Sequence, residues 1–306
     1  MALNAPLRDR ARGALLGLAV GDAVGTTLEF SARDSYEPLT DMVGGGPFRL
    51  KAGQWTDDTS MALALADSLV ERGALDLQDI AVRFVSWMRE GEYSATGACF
   101  DIGATTREAL IRYLESGEPI AGDTDPMSAG NGSLMRLSPV AIRGVRTPDA
   151  TMRHAAREQS RITHGAQACL EACEVWAMAV KTAIGGGSFD QCCAAVSTVE
   201  ASDQAIAAIL AGDWRGKARE DIDSSGYVAH SLEASFWCIG RGDDFRDMVL
   251  LAANLGRDAD TTAAITGQLA GALFAASGIP DDWLGKLAWR ERLEVLADGL
   301  LDSGGF

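Results

Sequence analysis

Residues 254–274 read NLGRDADTTAAITGQLAGALF, an apolar helical run that opens with two aspartates, Asp258 and Asp260, and two threonines. An α-helix turns about 100° per residue, so side chains two positions apart point to nearly opposite sides. For both carboxylates to serve one purpose, they must lie in the turn entering the helix, where the backbone is not yet helical. A helix N-cap accounts for one of them, because Asp and Thr accept hydrogen bonds from free N–H groups and suit the positive end of the helix dipole. The second is left over. The arrangement recurs in residues 54–73, QWTDDTSMALALADSLVERG, where Thr56, Asp57, Asp58 and Thr59 stand at the mouth of another apolar helix. Two copies about 200 residues apart point to one shared site more than to two caps. Together they offer four carboxylates and at least two hydroxyls. Such charges repel one another unless a cation sits among them. Oxygen-only ligands favour Mg²⁺ or Mn²⁺ over zinc or copper, and the carboxylate count fits two ions better than one.

The composition agrees with an ordinary folded protein. Of 306 residues, 47% are hydrophobic, enough for a large core and against a disordered chain. Asp plus Glu number 43 against 27 Lys plus Arg, a balance that excludes general attraction to a nucleic-acid backbone or an anionic membrane surface. It leaves room for an anionic ligand neutralised locally by metal ions or helix N-termini. The six cysteines, Cys99, Cys169, Cys173, Cys192, Cys193 and Cys238, show no C-x-x-C spacing and read as reduced thiols. Three histidines are too few for a multi-histidine metal centre. The opening MALNAPLRDRARGALLGLAVG reads poorly as a secretory signal, and no run approaches membrane-spanning length, so a cytoplasmic protein is expected.

Helical patterns recur along the whole chain, at roughly 8–23, 58–72, 77–90, 102–115, 131–143, 148–161, 165–184, 189–198, 202–211, 227–240, 243–254, 260–276 and 285–302. Alternating Val/Ile/Thr strands with hairpin turns are scarce. The expected class is all-α. The glycine-rich breaks GGGPF (44–48) and GGGSF (185–189) are short and read as loops within a single domain spanning 1–306. Small residues crowd the runs GALLGLAVGDAVG and AAITGQLAGALFAASG, which predicts close packing of two central helices. Such packing would hold both acidic helix starts at one end of the bundle.

Seven blocks now stand in order: GALLGLAVGDAVGTTLEF (13–30), WTDDTSMALALADSL (55–69), DIGATT (101–106), AGNGSLMR (129–136), SRITH (160–164), SGYVAHSLEASFW (225–237) and NLGRDADTTAAITGQLAGALF (254–274). Together they resemble the ADP-ribosylglycohydrolase family over nearly the whole length. The resemblance implies a compact all-helical bundle with a binuclear Mg²⁺ or Mn²⁺ centre, hydrolysing a bond to the anomeric carbon of ADP-ribose. Carried over, it implies Thr56, Asp57, Asp58, Asp258, Asp260 and Thr261 as metal ligands, in agreement with the charge argument. Glu29 matches a glutamate that approaches the metals and the scissile bond; a lone carboxylate would otherwise read as a solvated surface group. Asp101 matches a substrate-side aspartate and equally suits an N-cap, with Gly103 beside it as a substrate contact.

In GNGSLMR, Gly130 and Gly132 remove side chains while Asn131 and Ser133 supply polar groups, which suits a ribose or diphosphate against a helix N-terminus. His164 corresponds to a family histidine near the distal ribose and phosphates. Tyr227 matches a ring-stacking position, although a half-buried core tyrosine fits nearly as well. Arg257 occupies a place that is glycine in some members, which alters the charge and bulk of the metal-site rim. The implied partners are an ADP-ribosylated protein or a small ADP-ribose conjugate, with an arginine linkage leading. Serine-linked or O-acetyl-ADP-ribose substrates, and a non-catalytic ADP-ribose-binding module, are the alternatives. Oligomeric state is unmarked in the sequence, and a monomer suffices.

Overall fold

The computed structural model describes residues 5–306. Its helices are α1 (Ala5–Gly25), α2 (Asp57–Arg72), α3 (Leu77–Glu90), α4 (Ala104–Ser116), α5 (Ser138–Arg143), α6 (Asp149–Arg161) and α7 (Gln167–Ile184). They continue as α8 (Phe189–Val196), α9 (Gln204–Ala211), α10 (Val228–Ile239), α11 (Phe245–Ala253), α12 (Ala259–Phe274), α13 (Asp281–Lys286) and α14 (Arg290–Asp302). Among the described residues there is no β-strand, only three isolated bridges, so the all-α expectation holds. No helix among them is long and apolar enough to cross a membrane.

The centre of the bundle is the antiparallel pair α1 and α12. Glycines recur every fourth residue on one stripe of α1: Gly13, Gly17, Gly21 and Gly25. A Cβ at each would collide with a backbone carbonyl of α12, that of Gly271, Gly267, Ala263 and Ala259 respectively. Each step of four along α1 is thus matched by a step of four backwards along α12. Backbone meets backbone, and no bulkier side chain fits between. From Gly13 onward α1 is buried throughout, and nearly all of α12 is buried, as a helix surrounded by others must be. Because the pair is antiparallel, the end of α1 lies beside the start of α12.

Side-chain capping is local in some helices and supplied from elsewhere in the helices that bear the acidic clusters. Asp76, Ser188, Asp203 and Asp244 accept hydrogen bonds from the first free N–H groups of α3, α8, α9 and α11. The N-cap residues of α2, α4 and α12 (Thr56, Gly103 and Asp258) make no such side-chain bond. For α2 and α12 the need is met from α1 and the turn after it. Asp22 accepts from the N–H groups of Thr56 and Thr59, at 2.9 and 3.0 Å. Glu29 Oε2 accepts from the N–H of Ala259 at 2.8 Å. Asp258 is thereby released from capping, while Asp260 Oδ1 still accepts from the adjacent Thr261 N–H at 2.8 Å.

Two helical readings need correction. Residues 131–137 form successive turns, and α5 begins only at Ser138, with Pro139 setting its first turn. The glycines flanking Asn131 leave a tight loop in which Leu134 and Met135 both donate to the Asn131 carbonyl. The stretch 285–302 divides into the end of α13 and α14. Ala288 turns its N–H out to Gly53, and Trp289 takes a left-handed conformation (φ 50°) with its ring against Trp55.

Candidate active site

The two Thr/Asp helix mouths meet at one end of the α1/α12 pair. Oxygens of Asp22, Asp58 and Asp260 lie within 4.8 Å of one another, and so do oxygens of Glu29, Asp258 and Asp260. Asp260 is common to both groups, so the two clusters form one continuous constellation. Thr56 Oγ1 donates to Asp22 at 2.9 Å and stands 3.2 Å from Asp58 Oδ2, and Thr261 Oγ1 reaches the same Asp58 oxygen at 3.4 Å. Asp57, also buried, lies close enough to feel Asp101, Asp260 and Asp22.

Burial and mutual repulsion govern the electrostatics. Asp22, Asp258 and Asp260 are each pushed up to about 7, by burial first; Asp260 is the next cause for Asp22 and Asp258. Asp57, Asp58 and Glu29 move upward for the same leading reason, with the surrounding carboxylates next. Asp58 Oδ1 is buried without any hydrogen-bond partner. An orphaned carboxylate oxygen inside an all-oxygen cluster is the donor set of a hard divalent cation. The residues present fit such an ion.

Above the cluster opens a cavity of about 790 Å³, within the usual range for ligand sites. Glu29, Asp57, Asp101, Gly103, Gly130, Asn131, Gly132, His164, Asp258, Asp260 and Thr261 line it, so most of the residues singled out in the sequence converge here. Asn131 Nδ2 donates to Asp258 at 2.8 Å, tying the glycine loop to the acidic floor. Asp101 is no N-cap: it has a left-handed backbone (φ 61°) two residues ahead of Gly103, the N-cap of α4, and burial pushes its carboxyl up to about 6. Phe30 and Phe48 add an aromatic wall, their rings 6.1 Å apart and edge-on.

Two expected contacts turn away. Ser133 is fully buried behind the loop, accepting from Ser160 Oγ at 2.8 Å, because its turn carries it toward α6. Tyr227 pairs through its backbone with Gly130 but packs its ring edge-on against His230, outside the lining. Nor does the 130–133 loop lie at a helix N-terminus, since α5 starts later. Asp22 was missed by reading the helix mouths alone. Its signal was present: a single carboxylate inside the apolar run GLAVGDAVG must be paired, protonated or metal-bound if buried. Arg257, left-handed at φ 61°, pairs with Asp223 at the rim.

The chain belongs to the ADP-ribosylglycohydrolase family, a group of hydrolytic enzymes whose sequence model matches residues 3–305. It is 48% identical over 295 residues to the ADP-ribosylarginine hydrolase Tri1 of Pseudomonas putida (strain GB-1), covering 96% of this chain and 78% of that protein. It is 34% identical over 305 residues to the ADP-ribosyl-[dinitrogen reductase] glycohydrolase of Rhodospirillum rubrum, covering 98% of each. A solved structure described as an ADP-ribosylglycohydrolase-related protein complex superposes with a TM-score of 0.87 at 40% identity, over 97% of this chain and 99% of that one.

Proposed function

We propose that the protein removes ADP-ribose from a modified target by cleaving the N-glycosidic bond of ADP-ribosyl-arginine. It would act as one domain over residues 1–306, in the cytoplasm. The observation that carries this reading is the acidic constellation at the floor of a ligand-sized cavity, in a chain whose relative at 48% identity is named an ADP-ribosylarginine hydrolase. Thr56, Asp57, Asp58, Asp258, Asp260 and Thr261, joined by Asp22, would hold two divalent cations, Mg²⁺ or Mn²⁺. Such ions supply positive charge that orients ribose hydroxyls and acidifies water.

The chain's own groups divide the remaining work. Departure of the guanidine builds positive charge on the ribose ring, which the surrounding carboxylates stabilise. One oxygen of Glu29 is held by the Ala259 N–H, which fixes the carboxylate at the cavity wall. Its other oxygen, ionised once the burial and neighbouring carboxylate charge that raise its pKa are offset, takes a proton from the attacking water as the new C–O bond forms. Asp101, with its carboxyl pushed up to about 6, supplies a proton to the departing nitrogen as the C–N bond breaks. Gly103, Gly130, Asn131, Gly132 and His164 receive the rest of the nucleotide. The decisive experiment is a linkage panel (arginine, serine, O-acetyl) assayed with Mg²⁺, with Mn²⁺ and with EDTA. Release from arginine that EDTA abolishes is expected; preferential release from an O-linkage would replace the arginine assignment.

A further inference from the structure

We propose that Arg136 and Thr163 lock His164 in one tautomer, presenting its Nε2–H to the cavity as a permanent hydrogen-bond donor. The guanidinium of Arg136 is fully buried, 4.5 Å over the ring of Phe84. It donates to Gln159 Oε1 at 2.9 Å, to the Gln159 carbonyl at 2.8 Å and to Thr163 Oγ1 at 2.9 Å. A guanidinium has hydrogens only to give. Thr163 Oγ1 therefore accepts from Arg136, and its own hydrogen must find a different acceptor. The one other partner is His164 Nδ1, at 2.8 Å.

Thr163 is fully buried, so water cannot relieve a mismatch at its hydroxyl. Were Nδ1 protonated, the threonine hydrogen would be stranded without an acceptor. An imidazolium would do the same and add a second cation beside Arg136. Burial first, and then Arg136, hold the imidazole pKa down to about 3. Nδ1 is the acceptor, and the proton sits on Nε2.

That nitrogen faces the glycine loop. A Cβ on Gly132 would stand 2.7 Å from His164 Cε1 and 3.1 Å from Nε2, and one on Gly130 3.3 Å from Nε2. Both glycines and His164 line the cavity. The two missing side chains leave the imidazole edge open to a ligand oxygen. On the function proposed above, that oxygen belongs to the diphosphate or a ribose of ADP-ribose. Arg136 and Thr163 are thus positioning residues: neither is among the cavity-lining residues, yet together they decide which ring nitrogen carries the proton there.

The wild-type protein labelled with [¹⁵N]histidine gives the first test, with His164→Gln to assign the resonance. Two-bond ¹⁵N–¹H couplings are expected to show a neutral Nε2–H ring at neutral pH. A Nδ1–H ring or an imidazolium overturns the proposal without any need for a relay variant to fold. Thr163→Val, nearly the same in shape, is expected to lose the single tautomer and weaken calorimetric binding of ADP-ribose about ten-fold, with Thr163→Ser restoring both. A Val variant with the Nε2–H tautomer and affinity intact would also overturn it. Wild-type protein with the Nε2–H ring but no affinity for ADP-ribose would sink the functional reading and leave the relay standing.

Discussion

Asp22 receives four hydrogen bonds, from the backbone N–H and hydroxyl of both Thr56 and Thr59, while one of its oxygens stays within reach of Asp58 and Asp260. Asp22→Ala would strand those four buried donors and is expected to cost about 3 kcal/mol or more in the cation-loaded protein, read from chemical denaturation. A loss within experimental error would show that Asp22 is a bystander. Glu29 and Asp260 divide differently. Glu29→Gln keeps an oxygen for the Ala259 N–H but removes the proposed base, a role that contributes about 10²–10⁴-fold in rate. Turnover on ADP-ribosyl-arginine is expected to fall by that order while calorimetric affinity for ADP-ribose holds, whereas Asp260→Ala loses both. Near-normal turnover in Glu29→Gln would take Glu29 out of the mechanism.

Among the elements, the α1/α12 seam sets the position of everything acidic. Gly267→Ala would drive a methyl group into the carbonyl of Gly17 in a place with no side chain to move aside. Overpacking of this kind costs about 1–3 kcal/mol, and the shifted α12 mouth is expected to weaken Mn²⁺ binding in the same variant. Normal metal affinity after the substitution would mean that the seam does not position the site. The seam was legible in the sequence, because small residues four apart in two apolar runs leave little else to do. The ends of elements were less so. Composition alone favours helix across 131–137, yet the glycines and Pro139 win locally, and only the fold shows that the Ala288 N–H has a partner at Gly53. The aspartates at the mouths of α2 and α12 looked half like caps because the groups that do cap those helices, Asp22 and Glu29, are remote in sequence. Ser133 and Tyr227 were drawn into the site by their motifs and excluded by the turn each one sits in.

For the whole molecule, the crowded carboxylates dictate how stability follows pH. An aspartate titrates near 3.9 in an unfolded chain, while burial pushes Asp22, Asp258 and Asp260 up to about 7 in the fold. The folded state therefore holds protons that the unfolded state has already lost. The contribution of these groups is fully present below about pH 4 and disappears as the pH rises through about 7. Metal-stripped protein is expected to melt at lower temperature at pH 8 than at pH 6, and Mg²⁺ or Mn²⁺ to raise the melting temperature more at pH 8. A stripped protein whose melting temperature climbs over that interval, or ignores the cations, would contradict the assigned cluster. The same architecture fixes a moment in the life of each new chain. The glycine stripe of α1 is made more than 200 residues before its partner stripe on α12. At about 5–20 residues per second, a ribosome leaves that first helix without its mate for on the order of ten seconds or more. No fragment lacking α12 can assemble the carboxylate constellation, so the acidic site cannot form until α12 has been made.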